Sequence, residues 1–341
     1  MTLCLDRLEE ILAGRPAYRA RQARAAVFHR LCRSWEEATD LPADLRKLLA
    51  RQVPLEIPAR LARSEGGDTV RAAIRLADGE TVETVLMRHR PGRNTVCVSS
   101  QAGCPLGCEF CLTGDRGFAR NLTRGEIAAQ ALFWSRYLRD RSARVSNLVF
   151  MGMGEPFLNY DEVLAAARMI NAPEGLGIGA RRISISTAGV TEGIDRLAGE
   201  DLQINLSISL HAPDNRLRSR LMPVNDAYPL EAVLGAAAGY IEKTGRRVMV
   251  EYLLLAGVND SPAAAESLAA LLRQRLDRLY FVNLISYSRT GKYRPSPEPA
   301  VRKFARILEG EGITVTRRYR FGGGISAACG QLTGKERPGG I

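Results

Sequence analysis

An α/β fold, a partial (β/α)6 TIM-type barrel with a small N-terminal helical domain and a β-hairpin linker, is predicted by three observations. From Thr95 onward, short apolar strands alternate with amphipathic helical segments. The loops after those strands collect glycines and polar residues, the pattern of barrel strands whose carboxyl ends carry chemistry. Residues 1 to about 60 show helical spacing instead.

Taken in order, Leu5, Leu8, Ile11 and Leu12 recur at helical intervals, and "PAYRARQARAAVFHRLC" sets Ala26, Val27 and Leu31 among arginines. Residues 1–60 therefore read as a basic helical domain. "DTVRAAIRLADGETVETVLMRH" alternates apolar and polar residues about Asp78-Gly79, a strong hairpin signal, so 61–94 reads as the linker. The barrel spans 95–321, with strands at TVCVS, NLVFMG, RISIST, INLSISL, VMVEYLLL and YFVNLI and a last one near TVTRRYR. Thr123 and Glu126 form the capping box of the helix "TRGEIAAQALFWSRYL". Residues 322–341 remain as a C-terminal loop. No internal repeat or low-complexity tract interrupts this plan.

The chain has 341 residues, 45% hydrophobic and 25% charged, enough for a full-sized core. Its 48 Lys+Arg against 37 Asp+Glu give a formal net charge of +11, which suggests a polyanionic partner, although a solvated basic surface reads the same way. "MTLCLDRLEEILAG" lacks the basic and apolar regions of a signal peptide, and no stretch approaches 18 uninterrupted apolar residues. A cytoplasmic protein without membrane contact is expected. In that reducing compartment the seven cysteines are thiols, ligands or catalytic groups and not a disulfide framework. Cys4 and Cys32, in helical segments, read as small buried apolar residues.

"AGCPLGCEFCLTG" places Cys104, Cys108 and Cys111 in a C-x3-C-x2-C loop without a fourth cysteine. Zinc would need one more ligand, and His89 or Cys97 could supply it. A [4Fe–4S] cluster explains the deficit better, because three thiolates leave one iron open.

This loop after the first barrel strand, with GMGEP after the second, resembles the radical S-adenosylmethionine superfamily. "CVSSQAGCPLGCEFC", "GMGEP", "RRISISTAGV", "SISLHAP", "LMPVN", "EYLLLAGVND" and "AACGQL" follow the order of RlmN/Cfr-type RNA methyltransferases, and "YRARQ" with "ATDLPADLRKLL" is similar to that family's helical accessory domain, which helps hold RNA. The resemblance implies that Cys104, Cys108 and Cys111 hold the cluster, whose open iron seats S-adenosylmethionine. It implies that Cys329 is methylated by one S-adenosylmethionine, that a radical from a second removes hydrogen from that methyl group, and that the carbon then joins an adenine ring carbon. Cys97 helps remove the ring proton and releases the base through a transient disulfide with Cys329. Glu83 matches the family's acid/base glutamate, while its plain reading is a solvated strand residue. Gly154, Glu155, Ser186, Ser209, Leu210, His211 and Asn283 match the S-adenosylmethionine contacts.

The implied substrate is an adenine in 23S rRNA and in tRNA, at C2, with C8 the alternative carbon. A monomer served by a reducing donor such as flavodoxin is expected. Two departures bear on the target: the family's acidic run before AACGQL is replaced by Gly322-Gly323-Gly324-Ile325-Ser326, and its proline-containing stretch after NLI by Ser286-Tyr287-Ser288. The rival readings are the same radical chemistry on another RNA or a small molecule, and a redox-sensing iron–sulfur RNA-binding protein.

Overall fold

A computed structural model describes residues 3–89, 92–319 and 321–334. Three helices open the chain: α1 (Leu5–Ala13), α2 (Ala17–Arg24), which runs on into a π-helical turn at Ala25–His29, and α3 (Ala43–Gln52). Their buried faces carry Leu5, Leu8, Leu12, Ala23, Leu45 and Leu49, the helical spacing read from the sequence.

Three antiparallel strands follow, β1 (Ala59–Arg63), β2 (Thr69–Arg75) and β3 (Thr81–Arg88). The β2–β3 turn is the Asp78-Gly79 hairpin, closed by the Glu80 N–H donating to Asp78 Oδ1 at 3.0 Å, with Gly79 at φ 92°. Strand β1 was not anticipated. Its sequence, ARLAR, is half exposed at a sheet edge and carries no apolar alternation strong enough to announce a strand. The two residues Arg90 and Pro91 of the RHRPGRN segment lie outside the described residues.

The barrel begins at β4 (Asn94–Val98), followed by the short ribbon β5 (Gln101–Gly103) and β6 (Phe118–Asn121) around helix α4 (Leu112–Arg116), and by α5 (Arg124–Arg139). Then come β7 (Asn147–Phe150), α6 (Tyr160–Asn171), β8 (Ile183–Thr187), α7 (Thr191–Ala198), β9 (Asn205–Ser209), α8 (Asn215–Leu221) and α9 (Leu230–Thr244). The series ends with β10 (Val248–Leu254), α10 (Pro262–Arg275), β11 (Tyr280–Ser286), α11 (Glu298–Gly310) and β12 (Val315–Arg317).

One ten-stranded sheet runs β1-β2-β3-β4-β7-β8-β9-β10-β11-β12, parallel from β4 onward. This is the α/β partial barrel, and every strand read from the sequence is present. The hairpin joins that sheet directly, since β3 pairs antiparallel with β4 and sets Val85 opposite Cys97. Helix α5 carries the predicted box, with the Glu126 N–H on Thr123 Oγ1 at 3.2 Å and the Thr123 N–H on Glu126 Oε2 at 3.0 Å.

The opening helices are fastened to α5 by a buried arginine. Arg136 is 5% exposed and donates Nη1 to Leu55 O and Nη2 to Cys32 O. Burial lowers its pKa from the usual arginine value, to about 10. Cys32 is buried as expected, whereas Cys4 is exposed: it stands in extended conformation before α1, outside the apolar face it was read into.

Candidate active site

The cluster loop is shaped by close backbone approaches. At Gly103, φ 88°, a Cβ would fall 1.9 Å from Gly117 O, so only glycine lets the β5–β6 ribbon close around the loop. The Cys104 N–H reaches Gly117 O at 3.1 Å and the Cys111 N–H reaches Cys108 O at 3.0 Å. All three thiols line one cavity at the carboxyl ends of the strands, with Gly154, Glu155, Ser186, Ser209 and His211 on its walls. Desolvation pushes Cys104 up to about 12 and Cys108 well above the ordinary thiol value. Bound iron would reverse that preference, because metal-ligating thiols are deprotonated.

Among the described residues, no three His, Cys, Asp or Glu side chains converge on a point suited to one metal ion. The three thiols do line one cavity, and three sulfur ligands are one fewer than a structural zinc site takes and leave one iron of a [4Fe–4S] cluster open. His89, the sequence's alternative zinc ligand, is engaged elsewhere: Nδ1 with Arg93, Nε2 with Thr95, and its ring edge-on to Phe321.

Of the residues matched to S-adenosylmethionine contacts, five line this cavity and two do not. Gly154, φ 100°, leaves no room for a Cβ, which would meet Gln101 at 2.5 Å. Glu155 is 3% exposed, and its carboxylate accepts the Phe157 N–H at 3.0 Å and the Ala188 N–H at 2.8 Å, bracing the β7 loop against the β8 loop. Burial nevertheless raises its pKa. Ser186 Oγ stands 3.5 Å from Ser209 Oγ. Leu210 is fully buried and contributes backbone only, its N–H going to Glu251 O and its carbonyl to Arg218 Nε. Asn283 lies in the same cross-strand row as Ser209 and Glu251, its Oδ1 accepting from Thr316 Oγ1 at 2.9 Å.

His211 adopts φ 61°, and burial pushes its imidazole down to about 3, with Arg218 adding to the effect. Its Nδ1 accepts the Leu253 N–H at 3.1 Å, so the neutral ring carries its proton on Nε2. Arg218, absent from the sequence reading, organises these loops: it is fully buried and donates to Ala188 O, Ser209 O, Leu210 O, Tyr228 O and Asn225 Oδ1.

A second cavity holds Cys97 and Cys329 together, between β3, β4 and the C-terminal segment. Its lining shares Met151, Ile285, Arg318 and Cys329 with the cluster cavity, so Cys329 opens onto both spaces. All seven cysteines are free thiols. Desolvation pushes the buried Cys97 up to about 12; Cys329 is exposed at the mouth of its cavity yet walled by apolar side chains that raise it as well, and Arg318 opposes both shifts. Arg318 is itself held more firmly cationic, first by Cys329 and then by Glu251 and Cys97. Glu251 and Arg318 were missed in the sequence. The available signal was a lone carboxylate in the apolar strand VMVEYLLL, which a buried site must compensate.

Glu83 is not a solvated strand residue. It is 1% exposed, with Oε1 2.8 Å from Arg71 Nη1 and Oε2 accepting the Thr333 N–H at 2.6 Å and the Gly334 N–H at 3.0 Å. Of the two substituted stretches, Ser286 and Ser288 line the thiol cavity, whereas residues 322–326 lie between its lining residues Phe321 and Ala327, and Gly322, φ 68°, admits no Cβ beside Ala327.

Residues 98–268 match the family model of the radical SAM superfamily. A protein of Chloroflexus aurantiacus described as a probable dual-specificity RNA methyltransferase RlmN is 48% identical over 97% of this chain and 92% of its own. A Dictyoglomus thermophilum protein of the same description is 43% identical over 96% and 94%. The crystal structure of a radical SAM methyltransferase from Sphaerobacter thermophilus superposes with a TM-score of 0.92, at 44% identity and 98% coverage of both chains.

Proposed function

Since this chain belongs to the RlmN family of radical SAM RNA methyltransferases, we propose that it methylates C2 of an adenine in 23S rRNA and in tRNA through an S-methylated Cys329. The observation that supports this reading is the position of Cys329 between the two cavities, facing the cluster loop on one side and Cys97 on the other.

Cys104, Cys108 and Cys111 would hold a [4Fe–4S] cluster, and the cavity walls from Gly154 to His211 would hold S-adenosylmethionine, two molecules per turnover. When bound, these groups supply a methyl cation equivalent for Cys329 and then a hydrogen-abstracting carbon radical for its methyl group. Cys329, once deprotonated, would attack as thiolate, its sulfur bonding the methyl carbon as that carbon's bond to the S-adenosylmethionine sulfur breaks and S-adenosylhomocysteine leaves. The Arg318 guanidinium lowers the cost of that anion. Having lost one hydrogen atom, the Cys329 methyl carbon then bonds the adenine ring carbon, and the adduct gives the ring proton to a base and one electron to a one-electron acceptor such as an iron–sulfur centre. The Cys97 thiolate resolves the adduct, its sulfur bonding the Cys329 sulfur as the Cys329 sulfur–carbon bond breaks and the freed carbon takes a proton to become the methyl group, and an external thiol reductant restores both thiols. Glu83 serves as acid/base group for the ring when its carboxylate is free of the C-terminal segment. Asn283 orients the adenine of the cofactor, and residues 1–60 hold RNA. The protein works as a monomer in the cytoplasm with a flavodoxin-like donor; among the described residues no helix is long and apolar enough to cross a membrane.

Nucleosides of 23S rRNA and tRNA from cells with and without the gene test this directly by mass spectrometry. Loss of 2-methyladenosine is the expected result. Loss of 8-methyladenosine would move the reaction to the other carbon, and no change in either RNA would overturn the substrate.

A further inference from the structure

The segment carrying Cys329 is tied down at successive residues. The Leu112 N–H donates to Gly330 O at 2.8 Å, and Thr113 Oγ1 donates to Leu332 O at 2.7 Å. Arg116 Nη1 reaches Thr81 O at 2.7 Å and Thr333 O at 3.4 Å. The last two described amides, Thr333 and Gly334, both end on Glu83 Oε2, whose other oxygen faces Arg71. Gly334, φ 61°, sits so close that a Cβ would lie 2.4 Å from Thr81 O.

Three of these ties, from Leu112, Thr113 and Arg116, come from α4, which starts immediately after the cluster cysteine Cys111. Another comes from β3, whose residues Val85 and Met87 line the thiol cavity on the same strand face as Glu83. A carboxylate accepting two main-chain N–H groups and one guanidinium in a buried site is a strong anchor. It is also occupied. We infer that Glu83 is a positioning residue, a latch that holds the 330–334 segment against β3 and so fixes Cys329 between the cluster loop and Cys97.

The latch has a consequence for the order of events. While Thr333 and Gly334 occupy Oε2, that oxygen is not free to take a proton from a bound base. Its release and the lifting of the segment are one event. Docking therefore suits the step in which Cys329 faces the cluster cavity, and undocking suits the step in which an RNA base needs both room and a free carboxylate. The geometry of the latch stands without the methyl-transfer reading. Only this assignment of steps rests on it.

Hydrogen exchange of the cluster-loaded full-length protein tests the latch without requiring turnover. Glu83→Gln removes the charge and turns a donor toward Arg71 or the amides, and Thr113→Val cuts a different tie to the same segment. In both variants, exchange of a peptide covering 326–334 should rise about tenfold while β2–β3 peptides keep their rates. Uncoupling should accompany it, with more 5′-deoxyadenosine formed per methyl group delivered to RNA. Unchanged tail exchange in both variants would overturn the inference, and so would equal acceleration in β2–β3, which would make Glu83 a sheet residue only. If native protein formed no methylated Cys329, the proposed chemistry would fail while the exchange result still decided the latch.

Discussion

Glu251 Oε1 lies 3.7 Å from Arg318 Nη1, beyond hydrogen-bonding distance, and among the described residues it accepts no hydrogen bond although Glu251 is only 4% exposed. Its partner oxygen is 3.3 Å from Ser186 Oγ. Arg318 is thus one partly exposed cation shared by a buried carboxylate and two thiols, with its Nη1 also 3.4 Å from Met151 Sδ. Arg318→Met would leave Glu251 an uncompensated buried charge, at a cost on the order of 3 kcal/mol. Adding Glu251→Gln should recover most of that loss in a denaturation midpoint, because the second change removes the stranded charge.

The same cation governs reactivity. Arg318 lowers the pKa values of Cys97 and Cys329, so removing it raises both. On the proposed mechanism, in which Cys97 attacks as thiolate, release of the methylated base by Arg318→Met should therefore shift to higher pH. Single-turnover release measured against pH checks this, and Arg318→Lys should fall between native and Met.

His211 supplies a pH dependence of stability with a definite sign. Its folded pKa is about 3, against an unfolded value of about 6.5. Below pH 6.5 the unfolded chain binds a proton that the folded site refuses, so the contribution is complete above 6.5 and falls away toward pH 3. The slope approaches about 1.4 kcal/mol per pH unit inside that window. Glu155 and Glu251, both raised by burial, act with the opposite sign, so comparison with a variant isolates the histidine. His211→Asn tolerates φ 61° and can offer Oδ1 to the Leu253 N–H. Urea unfolding of that variant should show a flatter acid limb than the native protein between pH 6 and 4.

The residues that were legible in advance share a property: their signal is local. Cys104, Cys108 and Cys111 lie in one loop, Thr123 and Glu126 in one turn, and Asp78-Gly79 within a single hairpin. Alternation and spacing also gave the parallel strands, because buried strands read as apolar runs. What stayed hidden depends on distant segments meeting. Nothing near Glu83 tells that Thr333 and Gly334 will end on its carboxylate, and nothing near Arg218 tells that it will receive carbonyls from the β8 and β9 loops. Strand β1 was hidden for another reason: an exposed edge needs little apolar pattern.

Arg136 is the buried point among several at which the helical N-terminus is tied to the barrel. Arg136→Met keeps the aliphatic bulk but leaves Leu55 O and Cys32 O without their donors, a loss of about 2–4 kcal/mol if both carbonyls stay dry. Loosening of residues 1–60 should weaken RNA binding more than cleavage of S-adenosylmethionine. Native affinity should also fall steeply with salt, as expected when several of the 48 Lys+Arg neutralise phosphates. Filter binding across a salt series, beside cofactor cleavage by the same preparations, separates the two effects. Equal loss of both would remove the separate RNA-holding role.

Anaerobic reconstitution should load about four irons and four sulfides, and alanine at Cys104, Cys108 or Cys111 should each abolish loading, since three thiolates are the minimum that leaves one iron open. Iron and sulfide assays with the visible absorption of the cluster provide the readout. Stoichiometric zinc without iron would refute the assignment.

Cys97 and Cys329 distinguish a relay through the protein from direct methyl transfer to RNA. Both line one cavity, and only Cys329 also lines the cluster cavity, so their roles cannot be exchanged. A methyl group arriving from the cluster side meets Cys329 first, and protein purified from cells should carry S-methylcysteine there. Cys97→Ala leaves that step and bond formation to the base intact but removes the thiol that displaces the product. It should accumulate a covalent protein–RNA complex through Cys329, visible as a nuclease-sensitive shift in mass. Cys329→Ala should give neither product nor adduct. The two thiols join only when their Cα atoms approach within about 7 Å, so an immobilised C-terminal segment would block release as surely as loss of Cys97. A Cys329→Ala protein that still methylates RNA would exclude the relay, whereas absence of adduct from Cys97→Ala would take the resolving step away from Cys97.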